Sequence, residues 1–223
     1  MFYFIKTPWW LKKWYSRLVW DIPVREKPIP EKVLYLTFDD GPHPEATPFV
    51  LDELKKAGAK ATFFCIGKNV QAYPQIYKRI LLEGHRVGNH TQNHLNGWKT
   101  PDKQYLENVR EAALYIDSDL FRPPYGRISA FQSNLLRETP FQYTIIMWDV
   151  LSADFDRSLT AQQCTRHVIR HARPGSIVVF HDSEKAFDRL QAALPAVLKH
   201  FGDKGYRMEG IPVSAGAAKM IPK

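Results

Sequence analysis

Short apolar runs alternate with segments of helical periodicity along most of the chain. Runs bounded by turn residues predict buried strands, and apolar positions at i, i+3 and i+4 predict amphipathic helices. The predicted strands are residues 33–38, 61–66, 85–90, a brief run leading into Arg122, 143–148, 176–181 and 206–209. The predicted helices are 47–58, 69–84, 103–116, 129–137, 160–172 and 188–200. In the first helix, Thr47 is expected to be the cap and Gly58 the stop.

About seven strands that each precede or follow a helix indicate an α/β fold with a parallel sheet in one domain. The hydrophobic pattern alone leaves open whether the sheet is open or closed. A barrel is favoured because polar motifs follow five different strands, and the carboxyl ends of barrel strands converge on one face.

Residues 1–30 form an aromatic and basic N-terminal arm followed by a proline-rich linker. The arm contains four of the six tryptophans, and Lys6, Lys12, Lys13 and Arg17 interrupt any apolar run long enough to span a bilayer. No cleavable signal peptide is recognised, so we expect a cytoplasmic or peripherally membrane-associated protein. Two interpretations of residues 1–20 remain open: a helix at a membrane interface, or an arm that packs its tryptophans on the domain.

Composition narrows the classes of partner only slightly. The 223 residues are 44% hydrophobic and carry a net charge of +8, which favours anionic surfaces. The basic residues are spread without an arginine-rich stripe, so nucleic-acid binding is not expected. Cys65 and Cys164 provide neither a disulfide framework nor a metal-ligand spacing. We expect a monomer.

The segment TFDDGP ends the first predicted strand with two adjacent carboxylates, Asp39 and Asp40. Neighbouring side chains on a strand point to opposite faces, and the Gly-Pro that follows bends the backbone. One carboxylate could therefore hold a metal while the other transfers protons. A solvated turn is the alternative, since Asp and Gly favour turns.

Four further motifs follow later strands. HTQNH places His90 and His94 four residues apart, so a helical turn would bring both imidazoles to one metal. FRPPYG would present the amide of Tyr125 in a rigid loop, as an oxyanion hole requires, unless it is an ordinary proline-rich turn. SADF and VFHD place Asp154 and His181 at strand ends, where the carboxylate could hold and tune the imidazole.

TFDDGP, HTQNH, RPPYG, SADF and VFHD, in this order, resemble the five motifs of the polysaccharide deacetylase family, the NodB-homology or carbohydrate esterase family 4 domain. The resemblance implies a distorted (β/α)7 barrel, with residues 31–223 as the catalytic domain. It also implies metal-dependent removal of acetyl groups from N-acetylglucosamine units of peptidoglycan, chitin-like oligomers or a related precursor.

The resemblance further implies a metal site at Asp40, His90 and His94. The metal in this family is usually zinc, and Co²⁺, Ni²⁺ or Mn²⁺ are alternatives. Asp39 would be the general base, and Arg122 would hold it in place.

The remaining roles follow from the same resemblance. The amide of Tyr125 would stabilise the oxyanion, and His181, supported by Asp154, would protonate the leaving amine. Pro124, Phe155 and Val179 are expected to contact the substrate.

The chain departs from the family pattern at two positions. The family commonly has Trp where this chain has Phe155, and Leu where it has Val179. Both replacements stay apolar, so we expect retained activity with an altered acyl or sugar preference. Two alternatives remain: hydrolysis of an O-acetyl ester of xylan or a small amide on the same fold, and a non-catalytic glycan-binding or membrane-associated protein.

Overall fold

The computed structural model describes residues 3–23 and 31–212. The helices are α1 (Trp9–Trp14), α2 (Ala46–Lys56), α3 (Gly67–Ala72), α4 (Pro74–Leu82), α5 (Asp102–Ala112), α6 (Ala130–Arg137), α7 (Ala161–His171) and α8 (Glu184–Asp203), with a 3-10 turn at Pro124–Gly126. The strands are β1 (Val33–Asp39), β2 (Thr62–Cys65), β3 (Arg86–Asn89), β4 (Leu120–Phe121), β5 (Thr144–Ile145), β6 (Val150–Leu151), β7 (Ile177–His181) and β8 (Arg207–Met208).

The strands form one curled parallel sheet in the order β5-β4-β3-β2-β1-β7-β6, and β8 pairs with the start of β1. Every strand pair is parallel, so the carboxyl ends of β1, β3, β4 and β7 lie at the same edge. The predicted fold class, a single α/β domain of the distorted (β/α)7 type, is confirmed.

The central strand β1 shows why the two faces of the sheet differ. Leu34, Leu36 and Phe38 belong to the core cluster under the outer helices, together with side chains of α2, α7 and α8. The alternate residues Thr37 and Asp39 point to the opposite face, where they meet a buried arginine. The alternation of a pleated strand therefore sends apolar groups to the helices and polar groups to the interior.

The structure departs from the predicted elements in several places. The segment predicted as one helix, 69–84, lies in two helices that meet at Tyr73, because Pro74 cannot continue a helix and begins the next one. The run predicted as a strand, 143–148, contributes only Thr144–Ile145 to the sheet. Thr47 is not the helix cap but lies in the first turn of α2. Its hydroxyl accepts the amide of His43 and donates to the Asp182 carboxylate.

The N-terminal arm occupies the space between the two edge strands of the curled sheet. Val19 forms a parallel bridge with Ile146, just beyond β5, and Lys6 forms an antiparallel bridge with Val150 of β6. The arm also buries Leu18 and Trp20 against the core. The arm thus packs on the domain as one interpretation expects, but of its four tryptophans only Trp20 is buried, while Trp9, Trp10 and Trp14 are exposed. The predicted linker before residue 31 falls on 24–30, outside the described residues.

Candidate metal and catalytic site

Asp39 and Asp40 diverge because the backbone changes conformation between them. Asp39 is the last residue of β1, with Phe64 and His181 beside it on the neighbouring strands. Asp40 has a φ of 81°, a left-handed conformation that Asp tolerates better than most residues. The turn directs Asp39 toward the buried interior and Asp40 toward the two histidines of HTQNH.

The HTQNH segment is not a helical turn, so the predicted reason for the convergence of its histidines is wrong. Thr91 and His94 have φ values of 65° and 56°, which no helix contains. The loop is instead held by Asn108, whose side-chain oxygen accepts the amides of residues 92 and 93 at 3.1 and 3.0 Å. The rings of His90 and His94 still meet, with centroids 5.1 Å apart.

Asp40, His90 and His94 offer three ligand atoms that all lie within 4.8 Å of one another. The Nε2 atoms of His90 and His94 are 3.6 and 3.1 Å from Asp40 Oδ1. That oxygen is buried without a hydrogen-bond partner among the described residues. An unpartnered carboxylate oxygen facing two imidazole nitrogens fits a divalent cation, because two His and one carboxylate form a common open zinc site.

The surroundings of His90 prepare it to act as a ligand. Its Nδ1 lies 2.7 Å from the carbonyl oxygen of Arg122, so Nδ1 carries the proton and Nε2 presents a lone pair that a cation beside Asp40 would accept. Burial lowers the pKa of His90 to about 4, which keeps the ring neutral near pH 7. For Asp40, burial raises the pKa, but the facing His94 and His181 rings lower it overall.

Arg122 is fully buried and makes a hydrogen-bonded ion pair with Asp39, with Nη1 and Oδ1 2.6 Å apart. The guanidinium also donates to Thr37 Oγ1 at 2.7 Å and to two backbone carbonyls, and it lies 4.1 Å from the centroid of the Phe64 ring. These contacts fix one orientation of the guanidinium. Arg122 therefore contacts and orients Asp39, which is the arrangement that the family resemblance implies.

His181 and Asp154 form the second charged pair. Asp154 is fully buried and binds both the Nδ1 and the backbone amide of His181, at 2.7 and 2.8 Å. Arg189 donates to the carbonyl of Asp154 at 2.6 Å and so supports its loop. Burial lowers the pKa of His181, but the adjacent Asp154 carboxylate raises it overall, to about 9.

Asp182, which sequence reasoning left without a role, stabilises the turn that carries the two carboxylates. Its Oδ1 accepts the amide of Gly41 at 3.1 Å, and Thr47 donates to its Oδ2 at 2.5 Å. A Cβ on Gly41 would lie 2.0 Å from the same side chain, so only glycine fits there. Burial raises the pKa of Asp182 to about 8. The only sequence signal was its place next to His181.

A cavity of about 360 Å³ unites these groups. Asp39, Asp40, His90, His94 and His181 line it on the polar side. Phe155, Val179, Leu151 and Trp148 supply apolar lining, and the predicted substrate contact of the first two stays a prediction.

Tyr125 also lines this cavity, with a φ of 61° and its ring 4.6 Å from that of His94. Pro124 is buried within the 3-10 turn and is not among the residues that line the cavity, so its predicted substrate contact stays a prediction. Tyr3 of the arm, which was not predicted, is among the lining residues.

Comparison with known proteins identifies the family. The polysaccharide deacetylase family model matches residues 26–144. A peptidoglycan-N-acetylglucosamine deacetylase of Bacillus cereus is 34% identical over 195 residues, which cover 85% of this chain and 89% of that protein. The peptidoglycan-N-acetylglucosamine deacetylase PgdA of Listeria monocytogenes is 33% identical over 91% of this chain, which spans 43% of PgdA.

The fold agrees with the sequence matches. The crystal structure of the Bc1960 peptidoglycan N-acetylglucosamine deacetylase superposes with a TM-score of 0.81 at 31% identity, covering 92% of this chain and 95% of that one. Sequence, fold and the arrangement of the five motifs agree, and the chain belongs to the polysaccharide deacetylase family of hydrolases.

Proposed function

We propose that this protein removes N-acetyl groups from N-acetylglucosamine units of a peptidoglycan-type or chitin-like glycan. One observation carries the proposal: a carboxylate–arginine pair and a histidine–carboxylate pair flank an Asp-His-His cluster within one cavity. A base, an acid and a cation site within one cavity suit amide hydrolysis. Relatives with matching sequence and fold are named as N-acetylglucosamine deacetylases.

In this proposal Asp40, His90 and His94 hold a divalent cation, most often zinc for such a ligand set. When bound, the cation supplies Lewis-acid polarisation of the acetyl carbonyl and lowers the pKa of water. The cation would also balance the charge of Asp40, as Arg122 balances that of Asp39. Metal analysis of the purified protein tests whether the bound metal is zinc. One equivalent of a different metal would show that zinc is the wrong assignment.

Asp39 acts as the general base. The ion pair with Arg122 keeps its carboxylate oriented, and Asp39 accepts a proton from the water that attacks the acetyl carbon. The backbone amide of Tyr125 is proposed to donate to the oxyanion that forms on the acetyl oxygen. Tyr125 has a left-handed backbone conformation, with a φ of 61°.

His181 acts as the general acid. Because Nδ1 donates to Asp154, the Nε2 proton is the one available to the substrate. Transfer of this proton to the amide nitrogen accompanies cleavage of the C–N bond, and acetate and a free amine leave. Turnover needs Asp39 ionised and His181 protonated at once, which predicts a bell-shaped pH profile.

The substrate class is tested by measuring acetate release from N-acetylglucosamine oligomers, peptidoglycan fragments, acetylated xylan and a small cyclic amide. We expect release from the N-acetyl glycans. Release from xylan or the small amide alone would favour the other hydrolase interpretation. No acetate release from any of these substrates, by protein that holds one equivalent of metal, would favour a non-catalytic role.

We also propose that the arm contacts an anionic membrane surface. The outer face of α1 consists of Trp9, Trp10, Lys13 and Trp14, and the three tryptophans are 74, 44 and 79% exposed. The opposite face places Leu11 against the core and Lys12 on buried Asp149. Exposed tryptophans beside lysine are typical of helices that lie at a bilayer interface. Among the described residues, no helix is long and apolar enough to cross a membrane.

Sedimentation with phosphatidylglycerol vesicles tests this contact. Wild type and Leu82→Ala, which alters an exposed leucine on α4, should both sediment, and Trp9→Ala/Trp14→Ala should stay in solution. Equal sedimentation of all three proteins would contradict the membrane contact.

A further inference from the structure

The N-terminal arm reaches the catalytic cavity through Tyr3. Its ring packs edge-on against Phe155, with centroids 5.3 Å apart and an interplanar angle of 68°. Its hydroxyl donates to Asp156 Oδ2 at 2.5 Å. Phe155 in turn packs edge-on against His181, with centroids 5.2 Å apart. Tyr3 therefore touches both the cavity and the residue that packs on the proposed general acid.

The arm holds Tyr3 in register with the cavity wall. Lys6 bridges to Val150, and the carbonyl of Ile5 accepts the amide of Leu151 at 2.8 Å. Leu151 itself lines the cavity. The hydroxyl of Thr7 donates to the carbonyl of Trp148, another cavity residue, at 2.7 Å. Residues 5–7 of the arm are thus bonded to residues 148–151 of the cavity wall. These bonds place Tyr3, two positions before Ile5, at the cavity.

Buried Asp149 anchors the same segment. It forms ion pairs with Lys6 and Lys12 of the arm while it also accepts from the hydroxyl of Ser176. The backbone amide of Thr7 donates to the carbonyl of Asp149 at 2.9 Å. These bonds hold the segment that follows Tyr3 against the domain.

We propose that Tyr3 is a positioning residue that sets the width of the acyl pocket, the apolar part of the cavity next to Phe155, Leu151 and Val179 where the acyl group would bind. This inference rests on the proposed function. Tyr3 backs the ring of Phe155 and adds its own ring to the apolar lining made by Leu151 and Val179. This apolar lining would limit the size of the acyl group that fits. The contact of Tyr3 with Phe155 keeps the Phe155 ring against His181. The arm is then part of the active site.

A purely structural role for Tyr3 predicts a different result from a role in limiting the acyl group. If Tyr3 only packed the arm onto the domain, its removal would lower stability and leave the preference between acyl groups unchanged. A residue that limits the pocket changes that preference, because one methylene in an apolar pocket alters kcat/KM by about tenfold or more. The ratio between two acyl substrates therefore distinguishes the roles.

The test compares wild type, Tyr3→Ala, Tyr3→Phe and Tyr15→Ala, each loaded with zinc, on the N-acetyl and N-propionyl forms of the glucosamine tetramer. Tyr15 belongs to the same arm, is 49% exposed and does not line the catalytic cavity, which makes it the matched control. For Tyr3→Ala we expect kcat/KM on the acetyl form to fall about tenfold and the propionyl-to-acetyl ratio to rise about tenfold. Tyr3→Phe keeps the ring and should keep the wild-type ratio, as should Tyr15→Ala.

An unchanged ratio in Tyr3→Ala, with wild type active, overturns the inference and leaves the proposed function in place. The same holds if Tyr15→Ala changes the ratio as much as Tyr3→Ala does. If wild type binds the tetramer in calorimetry without turnover, equal dissociation constants for wild type and Tyr3→Ala overturn the inference, and a tenfold weaker one for Tyr3→Ala supports it. If wild type neither binds nor hydrolyses the tetramer, the proposed function fails first and the inference fails with it.

Discussion

Replacing Arg122 with Met should destabilise the fold more than removal of any surface ion pair. The guanidinium and Asp39 are 0 and 5% exposed, so loss of one partner leaves the other as an uncompensated buried charge. Breaking a buried pair in this way costs about 3–5 kcal/mol. The charged guanidinium also donates three hydrogen bonds to neutral acceptors, Thr37 and two carbonyls, and the loss of each costs about 1.5–3 kcal/mol.

A double-mutant cycle separates these two costs. Asp39→Asn should lose only the stabilisation from the ion pair. Arg122→Met should lose that stabilisation and the hydrogen bonds to Thr37 and the two carbonyls as well. In Asp39→Asn/Arg122→Met no charge is left unpaired, so the double variant should be more stable than Arg122→Met, although its new amide lacks a partner. The coupling free energy should be at least about 2 kcal/mol in this direction.

The assay is urea unfolding followed by circular dichroism, with a chelator present so that metal binding does not contribute. Thermal unfolding provides a second measure, since 1 kcal/mol shifts the melting temperature of a domain of this size by about 2–4 °C. The exposed pair Lys199–Asp203 serves as the control, because such pairs contribute about 0–1 kcal/mol. A double variant whose loss equals the sum of the two single losses would refute the reasoning.

Three further predictions concern the acid, the metal site and the arm. Wild-type turnover should decline above about pH 9, where His181 loses its proton, and Asp154→Asn should move this decline to lower pH; an unmoved alkaline limb would show that Asp154 does not tune the ring. His94→Ala should lose stoichiometric zinc, measured by metal analysis after gel filtration, and full occupancy would show a wrong ligand assignment. Burial raises the pKa of Asp149, but hydrogen bonds from the two arm lysines and Ser176 lower it overall, so its stabilisation is present at neutral pH and is lost as pH falls. Melting curves of wild type and Asp149→Asn should therefore differ at pH 7 and converge in acid, and a difference constant with pH would argue against the lysine anchor.

The convergence of the candidate site residues could be predicted from the sequence because parallel strands bring their carboxyl ends together. Asp39, Arg122 and His181 lie at the ends of β1, β4 and β7 or directly after them, where apolar runs stop. Once those runs are read as strands, the polar residues after them must converge. The starts of α6 and α7 could also be predicted from the sequence. Ser129 and Thr160 each cap a helix whose third residue is Gln, the pattern of a capping box.

Backbone geometry and long-range packing were not readable in the same way. The two histidines of HTQNH converge through left-handed residues and a bond network to Asn108, which lies 16 positions away from residue 92. Spacing alone suggested a helical turn. Tyr3 enters the site only because the arm pairs with β6, more than 140 residues later in the chain. No local pattern encodes such a pairing.

The most direct test of the central claim is the release of acetate and free amine from the N-acetylglucosamine tetramer by the zinc-loaded protein. Wild type and Asp203→Asn, which alters an exposed aspartate, should release the two products in equal amounts. Asp39→Asn, assayed well below its melting temperature, should release neither above background. Turnover that persists in folded Asp39→Asn, or no turnover in wild type that holds its metal, would contradict the account.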